Sequence, residues 1–187
     1  MEVEKRLAWI FFRYLVILVS ALGSLFIFYS VFTPLTIYPV YLLLSLLYQV
    51  ILSGNSLFIG GAKIVLIDAC IAGAAYYLLF LLNMATPMKL KTRIYSLIFA
   101  FGLFLIVNVL RIFLFSVMVL NSFEYFDLTH LLFWYFLSSI IVFLIWIWTV
   151  KLFNVDEIPF WSDLKYIYSL TKSKRPKQTP RKAKKRR

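Results

Sequence analysis

The chain has 187 residues, 63% hydrophobic and 19% aromatic, with a mean hydropathy of +0.87. A soluble domain of this size is nearer half apolar, so the composition excludes a soluble globular protein and makes lipid the expected solvent. The net charge of +12 is unevenly spread: residues 1–150 carry +3 and residues 151–187 carry +9.

In chain order, residues 7–29 are apolar apart from Arg13 and long enough to span a bilayer. Val19-Ser20-Ala21 resembles a signal-peptide cleavage site, but the apolar run continues past it, so retention is expected. Pro34 marks a break, and residues 35–52 form a second span, kinked or started at Pro39. Ser53-Gly54-Asn55 is a turn signal. The β-prone runs 56–59 and 63–67 flank Gly60-Gly61 and predict a short hairpin. Open strand edges are not tolerated in lipid, so the hairpin belongs at the interface or against the bundle.

Residues 69–85, 94–119 and 128–150 are the third, fourth and fifth spans. The expected fold is therefore an all-α integral membrane bundle of about five transmembrane helices with a short extracytoplasmic β-hairpin. Residues 1–152 would form the bundle, and residues 153–187 an interfacial segment with a basic tail. Lys172 to Arg187 hold ten basic residues and no acid. Next to a membrane helix, such a run grips anionic lipid more simply than it binds RNA, and no nucleic-acid partner is expected. Nineteen Phe and twelve Tyr read as lipid-facing and belt residues.

Orientation follows the basic residues of short loops. Lys89, Lys91 and Arg93 in the 87–93 loop, together with the tail, belong in the cytoplasm. The 53–68 and 121–127 loops belong outside. Five spans then put the N-terminus outside, against the weak signal of Lys5 and Arg6.

Few ionisable residues lie in the apolar segments: Arg13, Arg111 and His130, with Asp68 at an edge. Such charges are costly in lipid and usually serve function. Arg13 reads as a snorkelling or interfacial charge. Helical rise places Cys70 roughly 25 Å above the 87–93 loop, Arg111 roughly 27 Å above Arg93 and His130 roughly 31 Å from Lys151. Three successive helices thus bring a thiol, a guanidinium and an imidazole to one level near the outer surface. Asp68 is placed to N-cap the third helix, with Cys70 in its first turn, where the helix dipole favours a thiolate. Asp127 is placed likewise before His130. Asn108, one turn from Arg111, can orient it. Ala72, Gly73, Ala74 and Ala75 leave room beside Cys70 for a peptide or a close-packed helix. A single cysteine and a single histidine exclude an internal disulfide, a Cys-based zinc cluster and a multi-His site; no metal or cofactor is expected.

Asp68-Ala69-Cys70-Ile71-Ala72-Gly73, then Asn108-Val109-Leu110-Arg111, then His130 opening the following helix resemble, in order and spacing, the exosortase/archaeosortase family of membrane cysteine transpeptidases. The likeness covers roughly residues 50–150 of what would be a short member. The chain departs from the family pattern at Ile71, where many members have Ser. It departs again at Leu131, Leu132, Phe133 and Trp134, where many have a small residue.

The resemblance implies a multi-pass protein of the cell membrane with an extracytoplasmic active site. Its substrates would be exported proteins with a C-terminal sorting tail. Cys70 would be the nucleophile, His130 the proton shuttle and Arg111 the oxyanion donor, with Asn108 and Asp68 in support. An amine-headgroup lipid would be the acceptor. The rival readings are a non-enzymatic membrane scaffold, in which the polar residues only pack helices, and a small transporter. The clustering of polar residues at one depth disfavours a transport path.

Overall fold

A computed structural model describes residues 2–23, 25–132 and 137–173. Its elements in chain order are α1 (Glu2–Leu22), α2 (Phe26–Ser45), β1 (Val50–Ser53), β2 (Ser56–Ile59), β3 (Ala62–Val65), α3 (Asp68–Ile71), α4 (Gly73–Ala85), α5 (Leu90–Leu120), α6 (Phe126–Leu132), α7 (Ser138–Leu152) and α8 (Trp161–Ser173). Residues 174–187, which hold most of the basic tail, and residues 133–136, inside the expected fifth span, lie outside the described residues.

The protein is mostly helical. Three helical stretches are long and apolar enough to cross a membrane: Phe26–Ser45, Asp68–Ala85 and Leu90–Leu120. Ser138–Leu152 is a shorter apolar helix. The expected second span both starts and ends elsewhere. Its helix begins at Phe26 and runs through Pro34 and Pro39 without a break. Each proline removes one backbone bond, but Phe28, Phe32, Ile37, Val40 and Leu44 lie buried along the helix and hold it against α4 and α5. It ends at Ser45, and residues 50–52, expected as the end of that helix because they are apolar, pair instead with Ser53 as β1.

The expected hairpin is therefore two strands of a three-stranded antiparallel sheet in the order β1-β2-β3. Both connections are two-residue turns. Gly60 and Gly61 have φ of 55° and 88°, the left-handed conformation that such turns require. Leu57 and Ile59 of β2 turn inward and join the helical core, so the sheet sits against the bundle.

The first expected span is interrupted. α1 stops at Leu22, and Leu25 takes a left-handed φ of 60° before α2 begins. The two helices do not form a hairpin. Arg13 of α1 reaches Met84 near the end of α4, while Tyr77, two turns earlier on α4, donates to the carbonyl of Ile17. α1 therefore runs antiparallel to α4. Phe28 of α2 packs on Phe101 of α5, and Asn121, just past α5, meets Tyr48, just past α2. α2 therefore runs parallel to α5. A short 86–89 connection reverses the chain between α4 and α5, so α1 and α2 point the same way.

The centre is aromatic rather than merely lipid-facing. Tyr76 stacks on Phe32 at 3.5 Å between centroids, and Phe101 and Phe104 meet it edge-on. Phe28, Phe32, Tyr76 and Phe104 are all buried. Gly73 is required by this packing, since a Cβ there would meet the Tyr29 ring at 2.7 Å.

Arg13 is not a snorkelling charge. It is 3% exposed and pairs with Asp163 of α8 at 2.7 Å, while its Nε donates to the carbonyl of Met84 at 2.7 Å. Tyr14 also donates to Asp163, and the Arg6 guanidinium lies over the Tyr166 ring. α8, which forms part of the expected interfacial segment, is thus fastened to α1. Arg93 is not a loop residue either. It lies buried in the first turn of α5 and donates to the carbonyls of Asn83 and Thr86, which end α4.

Asp163→Asn should lower stability by about 3–5 kcal/mol, because it strands a buried guanidinium. Replacing both partners with apolar residues, Arg13→Met with Asp163→Leu, should recover most of that loss. Thermal unfolding of the purified chain in detergent checks both.

Candidate functional site

The site begins with a break. Between α3 and α4, Ala72 takes φ 60° and ψ 39°, a left-handed conformation that costs an L-residue roughly 1–2 kcal/mol. Cys70 therefore sits in a single isolated turn, not in the first turn of a long helix. The expected dipole stabilisation of a thiolate shrinks accordingly, because a macrodipole needs aligned peptide units. Asp68 does not cap this turn: the N-cap is Ile67, and Asp68 is an exposed first-turn residue.

Breaking the helix frees carbonyls in apolar surroundings, where an unpaired carbonyl is costly. Two α5 residues supply donors. Asn108, 2% exposed, donates its amide to the carbonyls of Cys70 at 3.0 Å and Ile71 at 3.4 Å. Arg111 donates Nη2 to the carbonyl of Cys70 at 3.4 Å and Nη1 to Ser138 Oγ at 3.0 Å. Asn108 and Arg111 lie on one face because they are three residues apart. Asn108 therefore orients the cysteine-bearing turn rather than the arginine, and the arginine is positioned by Ser138. Arg111 Nε is buried and has no hydrogen-bond partner among the described residues.

Cys70, Arg111 and His130 line one cavity of about 120 Å³. Ile64 and Val65 of β3, with Leu66 just after it, line its wall, and Phe115, Ser116 and Phe126 lie on the helical side. Cys70 is half-buried and His130 is exposed at the rim. Two rings frame the imidazole: Phe126 stacks on it at 5.6 Å, and Phe115 meets it edge-on at 5.4 Å. The three residues picked out by helical rise thus reach one cavity from α3, α5 and α6.

On the other side of Arg111 lies a second, more open cavity of about 370 Å³, lined by Asp68, Ala69, Ala72, Ala74, Ala75 and Ser138 among others. The small residues leave the expected room, except that Tyr29 fills the space at Gly73. Two hydroxyls at the site escaped the sequence reading. Ser138 holds Arg111, and Ser116 is 3% exposed in the first cavity wall. The available signal was a hydroxyl inside an apolar run, which is weaker than a charge.

No family model matches the chain, and no curated protein or solved structure shows detectable similarity to it.

Asn108→Leu removes the amide that serves both freed carbonyls and should cost about 1–3 kcal/mol. Ala72→Gly should be tolerated, since glycine adopts the left-handed conformation freely. Ala72→Val should destabilise by more than 1 kcal/mol, roughly, because a β-branched residue resists it. Melting curves of the three variants in detergent read all of this.

Proposed function

We propose that the protein is a membrane cysteine transpeptidase resembling the exosortase/archaeosortase family. One observation carries the reading: Cys70, Arg111 and His130, from three separate helices, line one cavity. A scaffold gains nothing from placing a thiol, an imidazole and a guanidinium around an open space.

The chemistry is acyl transfer. His130 takes the Cys70 proton, and the sulfur attacks a peptide carbonyl carbon. The oxyanion is held by the permanent charge of Arg111, whose side chain lines the cavity. The C–N bond breaks as His130 returns its proton to the leaving amine, and an acyl group remains as a thioester on Cys70. An incoming amine, or water, gives its proton to His130 and attacks the thioester, and the Cys70 sulfur leaves. The substrates are exported proteins with a C-terminal sorting tail, and the acceptor is an amine-headgroup lipid.

The topology that fits has four crossings rather than five. α1 and α2 together cross once, because they point the same way. α3 with α4, α5, and α6 with α7 supply the other three. The N-terminus then lies in the cytoplasm with Lys5, Arg6, the 86–89 connection and the basic tail, which satisfies the positive-inside rule throughout. The sheet and the Cys70 cavity face outward.

In cells whose only copy carries Cys70→Ala, exported proteins with an apolar C-terminal helix and a basic end should keep that tail. Wild-type cells should lack it. Mass spectrometry of C-terminal peptides decides. Identical tails in both strains would remove the transpeptidase reading.

A further inference from the structure

We infer that the free edge of β3 is a binding site for an extended peptide, which adds to the sheet as a fourth strand and runs into the Cys70 cavity. The inference rests on the reading of Cys70 as a nucleophile for its purpose, but the geometry stands by itself.

The pairing register settles which groups are free. Ile59 and Ala62 close the two-residue turn and exchange hydrogen bonds, so bonded and non-bonded pairs alternate from there. Ala62 and Ile64 therefore point their backbone groups at β2, and Leu66 follows suit, donating to the carbonyl of Asn55 at 2.8 Å. Lys63 and Val65 point their N–H and C=O groups the other way. The Ile67 carbonyl is taken by Cys70 and Ile71, which leaves its N–H. Lys63, Val65 and Ile67 are all exposed, and no described strand covers this edge. The opposite edge differs, because β1 packs against α2.

Natural proteins usually blunt an exposed strand edge. This one carries a single charge, Lys63, and leads from it through Val65 and Leu66 to Cys70, along the cavity wall. The chemical complement of such an edge is another backbone in extended form. β-strand addition supplies affinity through main-chain bonds while leaving side-chain identity largely open. The free groups span four residue steps, about 13 Å, so they engage roughly five residues of the incoming chain. A substrate held this way presents its backbone carbonyl to the cavity at the end of the strand.

The test uses the full chain in detergent with Cys70→Ser, so that binding is read without turnover. The probe is a fluorescein-tagged hexapeptide of alternating valine and threonine, together with its singly N-methylated versions, followed by fluorescence polarisation. Residues of an added strand alternate between facing the edge and facing away. Loss of affinity should therefore recur at every second N-methylated position, by about tenfold, and be absent between. Val65→Pro, which removes an outward N–H but no bond to β2, should weaken the unmodified probe by a similar factor. Absence of binding, or N-methylation effects without a two-residue period, would overturn the inference. So would disulfide trapping of two copies through Lys63→Cys at the expense of peptide binding, which would make the edge a dimer contact. Failure here leaves the catalytic reading to be judged by the retained tails in Cys70→Ala cells. A period of two with normal tail processing in those cells would keep the edge site and remove the transpeptidase.

Discussion

Backbone carbonyls in apolar surroundings have no water to turn to, and the architecture of this protein follows from how it meets that constraint. The helix that carries Cys70 breaks at Ala72, and the carbonyls released there are taken up by Asn108 and Arg111 from α5. Without those two donors the break would be untenable. With them, a cysteine can leave the helical ladder and sit beside a cavity. The same solution recurs at the other end of α4, where Arg93 closes the carbonyls of Asn83 and Thr86. α5 thus serves both ends of α4 with polar side chains eighteen residues apart, roughly 27 Å along its axis.

The two ends differ in their surroundings. At the Arg93 end the buried charges are held by the protein itself: Arg13 pairs with Asp163, drawing α8 in, and Arg93 donates to two carbonyls, although its Nε, like that of Arg111, has no hydrogen-bond partner among the described residues. That end is stabilising architecture. At the Arg111 end the polar groups border a cavity instead. Arg111 keeps an unpartnered Nε, His130 stands at a rim, and Cys70 faces open space. Costly polar groups gathered around an open cavity mark a candidate ligand site.

Local patterning made much of this legible. Helical rise is enough to bring Cys70, Arg111 and His130 near one another, as their shared cavity shows, because rise depends only on counting residues. Gly60-Gly61 placed the sheet's second turn. The failures have physical reasons. Val50, Ile51 and Leu52 suit a strand and an apolar helix equally, so β1 was hidden. Ala72 in a left-handed conformation has no sequence signature, since alanine is the residue least expected to break a helix. Gly23-Ser24 is a short turn signal inside a long apolar run. The helix boundary there, and the shared direction of α1 and α2, depend on contacts with α4 and α5 that no local pattern carries. Arg13 and Asp163 are 150 residues apart, and no local pattern links them.

The central claim is that Cys70 belongs to one reactive, outward-facing cluster with Arg111 and His130. Cys70 is the chain's only thiol, so its alkylation by a membrane-impermeant maleimide in sealed vesicles of known orientation reports on it alone. The account predicts labelling from the extracytoplasmic side only, slowed about tenfold or more by either Arg111→Ala or His130→Ala. Labelling from the cytoplasmic side, or a rate indifferent to both substitutions, would contradict it.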